Sequence, residues 1–204
     1  MFALVESGSI TQFPKGNKGI TIGDNQYPQT IYTLWTEAER NAIGVYTLEI
    51  DSTNRKDEEF YINTNITYAF GSGKVTGSYG TATAKAIADA DAVDDSGNKL
   101  KDAEGNQIIN YGLKTKYKNK FNAEAAGLLA KTDWYVIKAT DVTSYSVPSN
   151  ITTYRAAVRT KVNAMETSID GCSDVDALIT LLTYTTDSEG VTSRPLGEFP
   201  DEVV

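Results

Sequence analysis

Apolar residues near the end of the chain recur at helical spacing, and this periodicity constrains the fold more than any other feature. Steps of 3, 4, 4, 3 and 4 separate Ile151, Tyr154, Val158, Val162, Met165 and Ile169. Residues at these steps lie on one face of an α-helix. Pro148 with Ser149 or Asn150 predicts where the helix begins, and Asp170 with Gly171 predicts where it ends.

Two further segments with this periodicity flank the long helix. The earlier one predicts a helix of about twenty residues, with its apolar stripe at Ile109, Leu113, Tyr117, Phe121, Ala125 and Leu128. The later one is shorter, and its apolar residues are Val175, Leu178, Ile179, Leu181 and Leu182. Ser173 is its predicted N-cap, with Asp176 three residues later. Three such helices with short links can bury their stripes against each other.

The start of the chain carries strand and turn signals instead. Phe2–Val5 and Ser9–Phe13 contain strand-forming residues on either side of a turn sequence, which predicts a β-hairpin. Thr36 and Glu39 form a capping-box pattern. This pattern predicts a short helix, which Gly44 ends.

Strand signals continue through the next part of the chain. Residues 14–28 are predicted to be irregular, with one short strand near residue 20. Val45–Ile50 and the alternating run Phe60–Phe70 predict two longer strands. Gly71-Ser72-Gly73 predicts a tight turn into a partner strand that begins at Lys74.

A near repeat with two Gly-Asn pairs lies in the middle of the chain. Ser96-Gly97-Asn98 and Glu104-Gly105-Asn106 predict a small exposed hairpin. The acidic residues just before it invite comparison with a calcium-binding EF-hand loop. Counted from Asp91, however, position 3 is Val93 and position 6 is Ser96, so the ligand pattern fails. A solvated acidic loop is expected.

These patterns predict an α+β fold, with a β-rich N-terminal part followed by a small C-terminal helical bundle. The expected divisions are a β-rich domain over residues 1–107, a helical domain over 108–183 and an extended tail over 184–204. The tail has no apolar periodicity and contains Gly and Pro, so alone in water it should be mobile. The first residues lack a signal-peptide pattern, and a cytoplasmic origin is expected.

The chain contains no histidine, which removes most familiar catalytic sites. Ser-His-Asp and Cys-His arrangements, histidine-containing zinc sites and the commonest neutral-pH acid–base group are all excluded. Carboxylate-only glycosidases and oxygen-ligand metal sites remain compatible. The one cysteine, Cys172, excludes an intramolecular disulfide and is interpreted as structural. A protein without enzymatic activity, cofactor or bound metal is expected.

Charge and hydropathy argue against two classes of partner. The net charge of −8 opposes binding to phosphate backbones, so no nucleic acid partner is expected. The lysines of the KTKYKNK segment, residues 114–120, are interpreted as a solvated surface. No apolar run approaches the roughly 20 residues that would span a bilayer, and no membrane association is expected.

A family resemblance is carried by LLxxTDW at residues 128–134, a loop that ends at Pro148 and YRAAVR at residues 154–159. The segment from Ala125 to Leu182 that contains them resembles the C-terminal region of tail fibre assembly and tail assembly chaperone-like proteins of tailed bacteriophages, particularly marine phages. MFALVESGSITQFP and TLWTEAERNAIGVYTLEI are similar to the N-terminal region of such proteins. Residues 60–110 lie outside the resemblance.

The resemblance implies a non-enzymatic tail, fibre or baseplate protein that works through protein–protein contacts. It also implies a location in the virion after synthesis in the host cytoplasm, with other tail proteins and further copies of the chain as partners. Thr132, Asp133, Trp134, Tyr154, Arg155 and Arg159 match the family pattern. We expect Trp134 and Tyr154 in the core, and Asp133 as a helix cap or as the partner of Arg155. These residues, with Arg159, are expected to be structural.

Two alternatives stay open on the sequence. The protein could be a transient tail fibre assembly chaperone that is not retained in the virion. It could also be a carboxylate-based module that binds or cleaves glycans, since the chain supplies Tyr, Trp and acidic residues.

Overall fold

A computed structural model of the chain describes residues 1–203. The chain forms two compact units, Met1–Thr83 and Ala84–Val204. The first is dominated by strands and the second by helices. The predicted α+β class, with a β-rich part followed by helices, is confirmed.

The first unit contains ten short elements, and an eleventh, the strand β9, has one residue on each side of the division. In chain order they are β1 (Phe2–Glu6), β2 (Ser9–Gln12), β3 (Ile20–Ile22), β4 (Asn25–Tyr27), α1 (Ile31–Leu34), α2 (Glu37–Ala42), β5 (Val45–Asp51), β6 (Tyr61–Ile62), β7 (Thr67–Gly71), β8 (Lys74–Ser78) and β9 (Thr83–Ala84).

The main sheet of this unit has the strand order β2-β1-β5-β8-β7. Its pairs are antiparallel except β5 with β8, which run parallel with Leu48 opposite Val75. The edge strands β2 and β7 contact each other. The rings of Phe13 and Tyr68 lie 4.6 Å apart where these edges meet. The sheet is therefore nearly closed.

Alternate residues of β1 point to opposite faces of the sheet, and both faces are covered. Leu4 packs in a cluster with Ile20 and Tyr32, whereas Ala3 and Val5 pack in a cluster on the other side. Side chains of a strand alternate in this way because the backbone is pleated. β1 is thus a central strand, buried on both faces.

Most local predictions for the first unit are confirmed. The N-terminal hairpin forms as β1 and β2. The Thr36 hydroxyl accepts from the Glu39 N–H at 3.3 Å, and Glu39 Oε2 accepts from the Thr36 N–H at 2.7 Å, which completes the capping box. Gly44 follows α2 with a φ of 81°, in the left-handed region that favours glycine. The region near residue 20 forms a hairpin of two strands, β3 and β4, where one was predicted.

The single strand predicted over residues 60–70 is wrong, because the run divides into β6 and β7. Between them, Asn63 Oδ1 accepts from the Lys56 N–H at 2.9 Å and Asn63 Nδ2 donates to the Lys56 carbonyl at 2.8 Å. The Thr64 hydroxyl accepts from the Gly80 N–H at 2.6 Å. Asn and Thr side chains compete with ladder pairing when they bond nearby backbone.

The second unit is built around helices. Its elements in chain order are β10 (Ala90–Asp91), β11 (Ile109–Asn110), α3 (Leu113–Ala130), α4 (Asp133–Asp141), α5 (Ser149–Asp170), α6 (Val175–Leu182), β12 (Thr185–Thr186) and β13 (Thr192–Ser193).

The unit begins at Ala84, whereas the sequence placed the boundary after residue 107. The segment before α3 is bonded to the start of that helix. Leu113 N–H donates to the Ala86 carbonyl at 2.9 Å, and Gly112 N–H donates to Asp89 Oδ1 at 2.8 Å. A Cβ at Gly112 would lie 2.4 Å from the carbonyl of Ala88, so this close approach requires glycine. Such contacts between distant residues leave no local pattern in the sequence.

The predicted long helix matches α5 closely. All of its stripe residues are buried: Ile151, Tyr154, Val158, Val162, Met165 and Ile169. α3 buries Leu113, Tyr117, Phe121 and Ala125 but begins later than predicted, because Ile109 belongs to β11. The two helices pack together, and Lys118 Nζ lies 2.8 Å from Asp170 Oδ1 across their contact. The N-cap of α6 is Asp174 and not Ser173, since Asp174 Oδ1 accepts from the Ala177 N–H at 2.8 Å.

The acidic loop residues Asp94 and Asp102 organise turns. Oδ1 of Asp94 accepts from the N–H groups of Ser96 and Asn98, each at 2.9 Å. Asp102 makes the same two bonds eight residues later, and Asp187 repeats them in the β12–β13 hairpin. A glycine with φ between 82° and 87° follows each aspartate by three residues. The near repeat is therefore a repeated Asx turn.

The described residues after 183, expected from the sequence to form an extended tail, make contacts with the helices. Leu196 is buried, and its N–H donates to the Leu181 carbonyl at 3.1 Å. The Arg194 guanidinium lies 5.3 Å from the Phe121 ring centroid and 4.9 Å from that of Tyr184. Arg194 also pairs with Glu198 at 2.7 Å. Stacking and charge hold this segment where apolar periodicity is absent.

Candidate assembly surface on the second unit

The corner between α3 and α4 is organised by the buried side chain of Arg155 on α5. Its Nη1 donates to the Leu129 carbonyl at 2.8 Å and to the Thr132 hydroxyl at 2.7 Å. The same nitrogen lies 2.8 Å from Asp133 Oδ1, which forms an ion pair at the first residue of α4. The Thr132 hydroxyl in turn donates to the Leu129 carbonyl at 2.9 Å. Arg155 therefore joins the end of α3 to the start of α4.

This geometry agrees with the expected partnership of Asp133 with Arg155. The Asp133 side chain is half exposed, while the Arg155 side chain is 11% exposed, so the pair lies at the boundary of the core. A buried charge is stable when it has such hydrogen-bond acceptors around it. Thr132, which is the residue before α4, makes no side-chain cap to that helix because its hydroxyl is engaged with Leu129 and Arg155.

The helix that this corner positions has no buried side chain. Tyr135 and Ala139, one turn apart, are half-buried. On the outer side, Trp134 is 51% exposed and Ile137 is 60% exposed. Val136 on the flank is also exposed. We call Trp134, Val136 and Ile137, with the exposed Val142 after the helix, the α4 surface.

Trp134 is therefore not a core residue, and the expectation that placed it in the core is wrong. Its ring lies 4.0 Å from that of Tyr135, and Lys138 Nζ lies 5.5 Å from it. α3 packs against α5 and buries side chains of its own, whereas α4 buries none. The large aromatic is left in solvent.

The remaining predicted site residues separate into one buried and one exposed. Tyr154 is 5% exposed, as expected for a core position, and its hydroxyl has no hydrogen-bond partner among the described residues. Burial raises the pKa of this hydroxyl. Arg159 is exposed one turn further along α5, and its Nη1 donates to the Arg155 carbonyl at 3.4 Å. Arg159 thus takes no part in the corner.

Sequence reasoning missed the apolar residues that share the outer face with Trp134. Ile137 follows Trp134 by three positions, which is a helical step. An apolar pair at this spacing, in the segment TDWYVIK between two longer periodic segments, is the pattern that could have revealed α4.

Cys172 is buried between α5 and α6, in agreement with a structural role. Burial raises the pKa of its thiol. Within residues 1–203, no three His, Cys, Asp or Glu side chains form a group that could hold a metal ion. None of the described helices combines the length and apolar character needed to cross a membrane.

Comparison of the chain with models of protein families, with curated proteins and with solved structures finds no match.

Proposed function

We propose that the protein is a non-enzymatic structural component of a bacteriophage tail, at a fibre attachment site or on the baseplate, acting through protein–protein contacts. The observation that carries the proposal is the α4 surface. Trp134 and Ile137, at a helical step of three, are exposed on its outer side, and Val136 and Val142 are exposed nearby in the chain. Exposed apolar groups commonly mark protein interaction sites where they cluster, and tryptophan is enriched at the energetic centres of such sites.

The α4 surface is already ordered before any partner binds. α4 is fixed at its start by the Arg155 contacts, so its apolar side chains are presented without first having to be ordered. A presented surface loses less conformational entropy on binding than a disordered one. This suits a component that is built into an assembly. The resemblance of residues 125–182 to tail assembly proteins gives the setting, with neighbouring tail proteins or further copies of the chain as partners.

Mass spectrometry of purified virions tests the structural role. We expect the protein at a constant copy number relative to other tail proteins. Its absence from particles would contradict the proposal. If the protein were absent but co-purified with unassembled fibre, it would instead be a transient assembly chaperone.

A surface variant tests the proposed contact. Replacing both Trp134 and Ile137 with Ser should reduce incorporation into particles by about tenfold or more. The reason is that truncation of a side chain at the centre of an interface removes a large part of the binding free energy. The thermal midpoint should change little because neither side chain is buried.

The matched control replaces two equally exposed apolar residues elsewhere in the second unit, Tyr111 and Val191, with Ser. The control should assemble normally. Equal loss of incorporation in both double variants would show that the α4 surface has no special role.

A further inference from the structure

A cleft in the first unit has a lining unlike the rest of this acidic chain. It encloses about 690 Å³ beside the loop that joins β2 to β3. Its wall carries Lys15 and Lys18 together with Gln12, Asn17 and Thr21, and no acidic residue lines it. The whole chain has a net charge of −8. Two positive charges in a concave site of this size attract a small anion.

The cationic groups of the cleft are uncommitted. Neither Lys15 nor Lys18 forms an ion pair among residues 1–203, although Lys74 in the same unit does so with Glu49. The loop itself adds donors, because the backbone N–H groups of residues 15–18 make no hydrogen bond to other described residues. Gly16 has a φ of 74°, a conformation that turns successive amides in this loop. Ammonium and amide donors together are suited to an oxyanion.

The remainder of the cleft suits the body of a sugar. Phe13 lines one side, is 47% exposed and is held by its ring contact with Tyr68 at 4.6 Å. An exposed, fixed aromatic ring offers an apolar face on which the C–H groups of a sugar can lie, while amide and hydroxyl side chains bond its hydroxyls.

From these features we infer that the cleft binds an anionic sugar, with its carboxylate or phosphate held by Lys15 and Lys18 and its ring against Phe13. The inference concerns the first unit and is independent of the proposed contact through α4. It also differs from a carboxylate-based glycan site, since the charged groups of the protein are lysines.

Isothermal titration of the full chain at low ionic strength tests the inference. The probes are glucuronate, glucose 6-phosphate, neutral glucose and inorganic phosphate. We expect saturable binding of at least one anionic sugar, about tenfold tighter than glucose and than inorganic phosphate. Added salt should weaken it because the lysines are exposed. Which anionic sugar binds tighter distinguishes carboxylate from phosphate recognition.

Variants locate the binding. Lys15→Gln with Lys18→Gln should weaken the anionic sugar by about tenfold or more, whereas Lys101→Gln with Lys116→Gln, which removes the same charge from exposed positions elsewhere, should not. Phe13→Ala should weaken the sugar more than inorganic phosphate.

Three results would overturn the inference. The first is the absence of saturable binding for both anionic sugars. The second is an equal effect of the two double lysine variants. The third is binding of inorganic phosphate as tight as that of either sugar, which would show that the cleft recognises an oxyanion and not a sugar.

Discussion

Arg155 makes three polar contacts through one of its nitrogens. Its Nη1 meets a main-chain carbonyl, a threonine hydroxyl and a carboxylate, which belong to the end of α3, the linking residues and the start of α4. Removing a buried donor leaves acceptors that have lost a partner, and this costs more than the bond itself contributes. The direction of α4 therefore depends on a side chain from a different helix.

Arg155→Met should lower the free energy of unfolding by about 1 to 3 kcal/mol, since the variant keeps the buried stem but loses the donors. Arg159→Met is the matched control, and its effect should stay within about 0.5 kcal/mol because the residue is exposed. Urea denaturation of both variants measures the difference. Hydrogen exchange should also show faster opening of α4 in Arg155→Met alone. Similar losses in the two variants would refute the role of the corner.

The contrast between Arg155 and Trp134 shows what a sequence pattern can reveal about a single residue. The pairing of Asp133 with Arg155 was anticipated as one of two roles for Asp133, the other being a helix cap. The exposure of Trp134 was not, because residue type and spacing do not reveal whether a neighbouring element covers a side chain. Half-buried Tyr135 lies next to it and is equally aromatic.

Among the elements, α3 is unusual because its cap comes from a distant part of the chain. The residue before it, Gly112, has no side chain with which to cap. Asp89 takes that role from 23 residues upstream, accepting from the Gly112 N–H at 2.8 Å and from the Thr115 hydroxyl at 2.9 Å. A carboxylate at a helix start also interacts favourably with the helix dipole. The start of α3 therefore depends on a residue that precedes it by more than 20 positions in the chain.

Asp89→Ala should cost about 0.5 to 2 kcal/mol, the usual range for losing an N-cap. Asp89→Asn should cost less, because its amide oxygen still accepts one bond. Asp95→Ala, which changes an exposed aspartate in the adjacent loop, is the control and should be near neutral. Thermal unfolding followed by far-UV circular dichroism measures all three. A loss in Asp95→Ala as large as in Asp89→Ala would indicate a general charge effect.

Local signals predicted α5 and the capping box of α2 because each lies wholly within one short segment. The irregular chain before α3 and the returning segment after α6 could not be predicted in this way. Asp89 and Arg194 hold those segments through partners 23 to 73 positions away, and such pairs share no period. The order of strands in the sheet could not be predicted for the same reason, since β5 pairs with β8 although two other strands lie between them in the chain.

At the scale of the whole molecule, the chain divides into two units that each have a core. The first is centred on both faces of β1, and the second on the contact of α3 with α5. Each unit exceeds 80 residues, a size at which single domains commonly fold alone. The division after Thr83 keeps the Asp89 cap with the helix that it serves.

A chain of residues 84–204 expressed alone should therefore unfold cooperatively, with a sharp thermal transition. A chain of residues 108–204, cut at the boundary expected from the sequence, should melt at a lower temperature because it lacks Asp89 and the Ala86 carbonyl at the start of α3. Calorimetry of the two fragments makes the comparison. Identical transitions would mean that residues 84–107 contribute nothing to the helical unit.

The two tryptophans of the chain fall one in each unit, and their surroundings differ. Trp35 is half-buried against the core of the first unit, with its ring 5.9 Å from that of Tyr27, whereas Trp134 stands in solvent on α4. Their fluorescence is thus separable without any added label. A soluble quencher reaches Trp134 first, and a partner seated on α4 would shield that emission and shift it to the blue. The emission of Trp35 would report on the sheet at the same time.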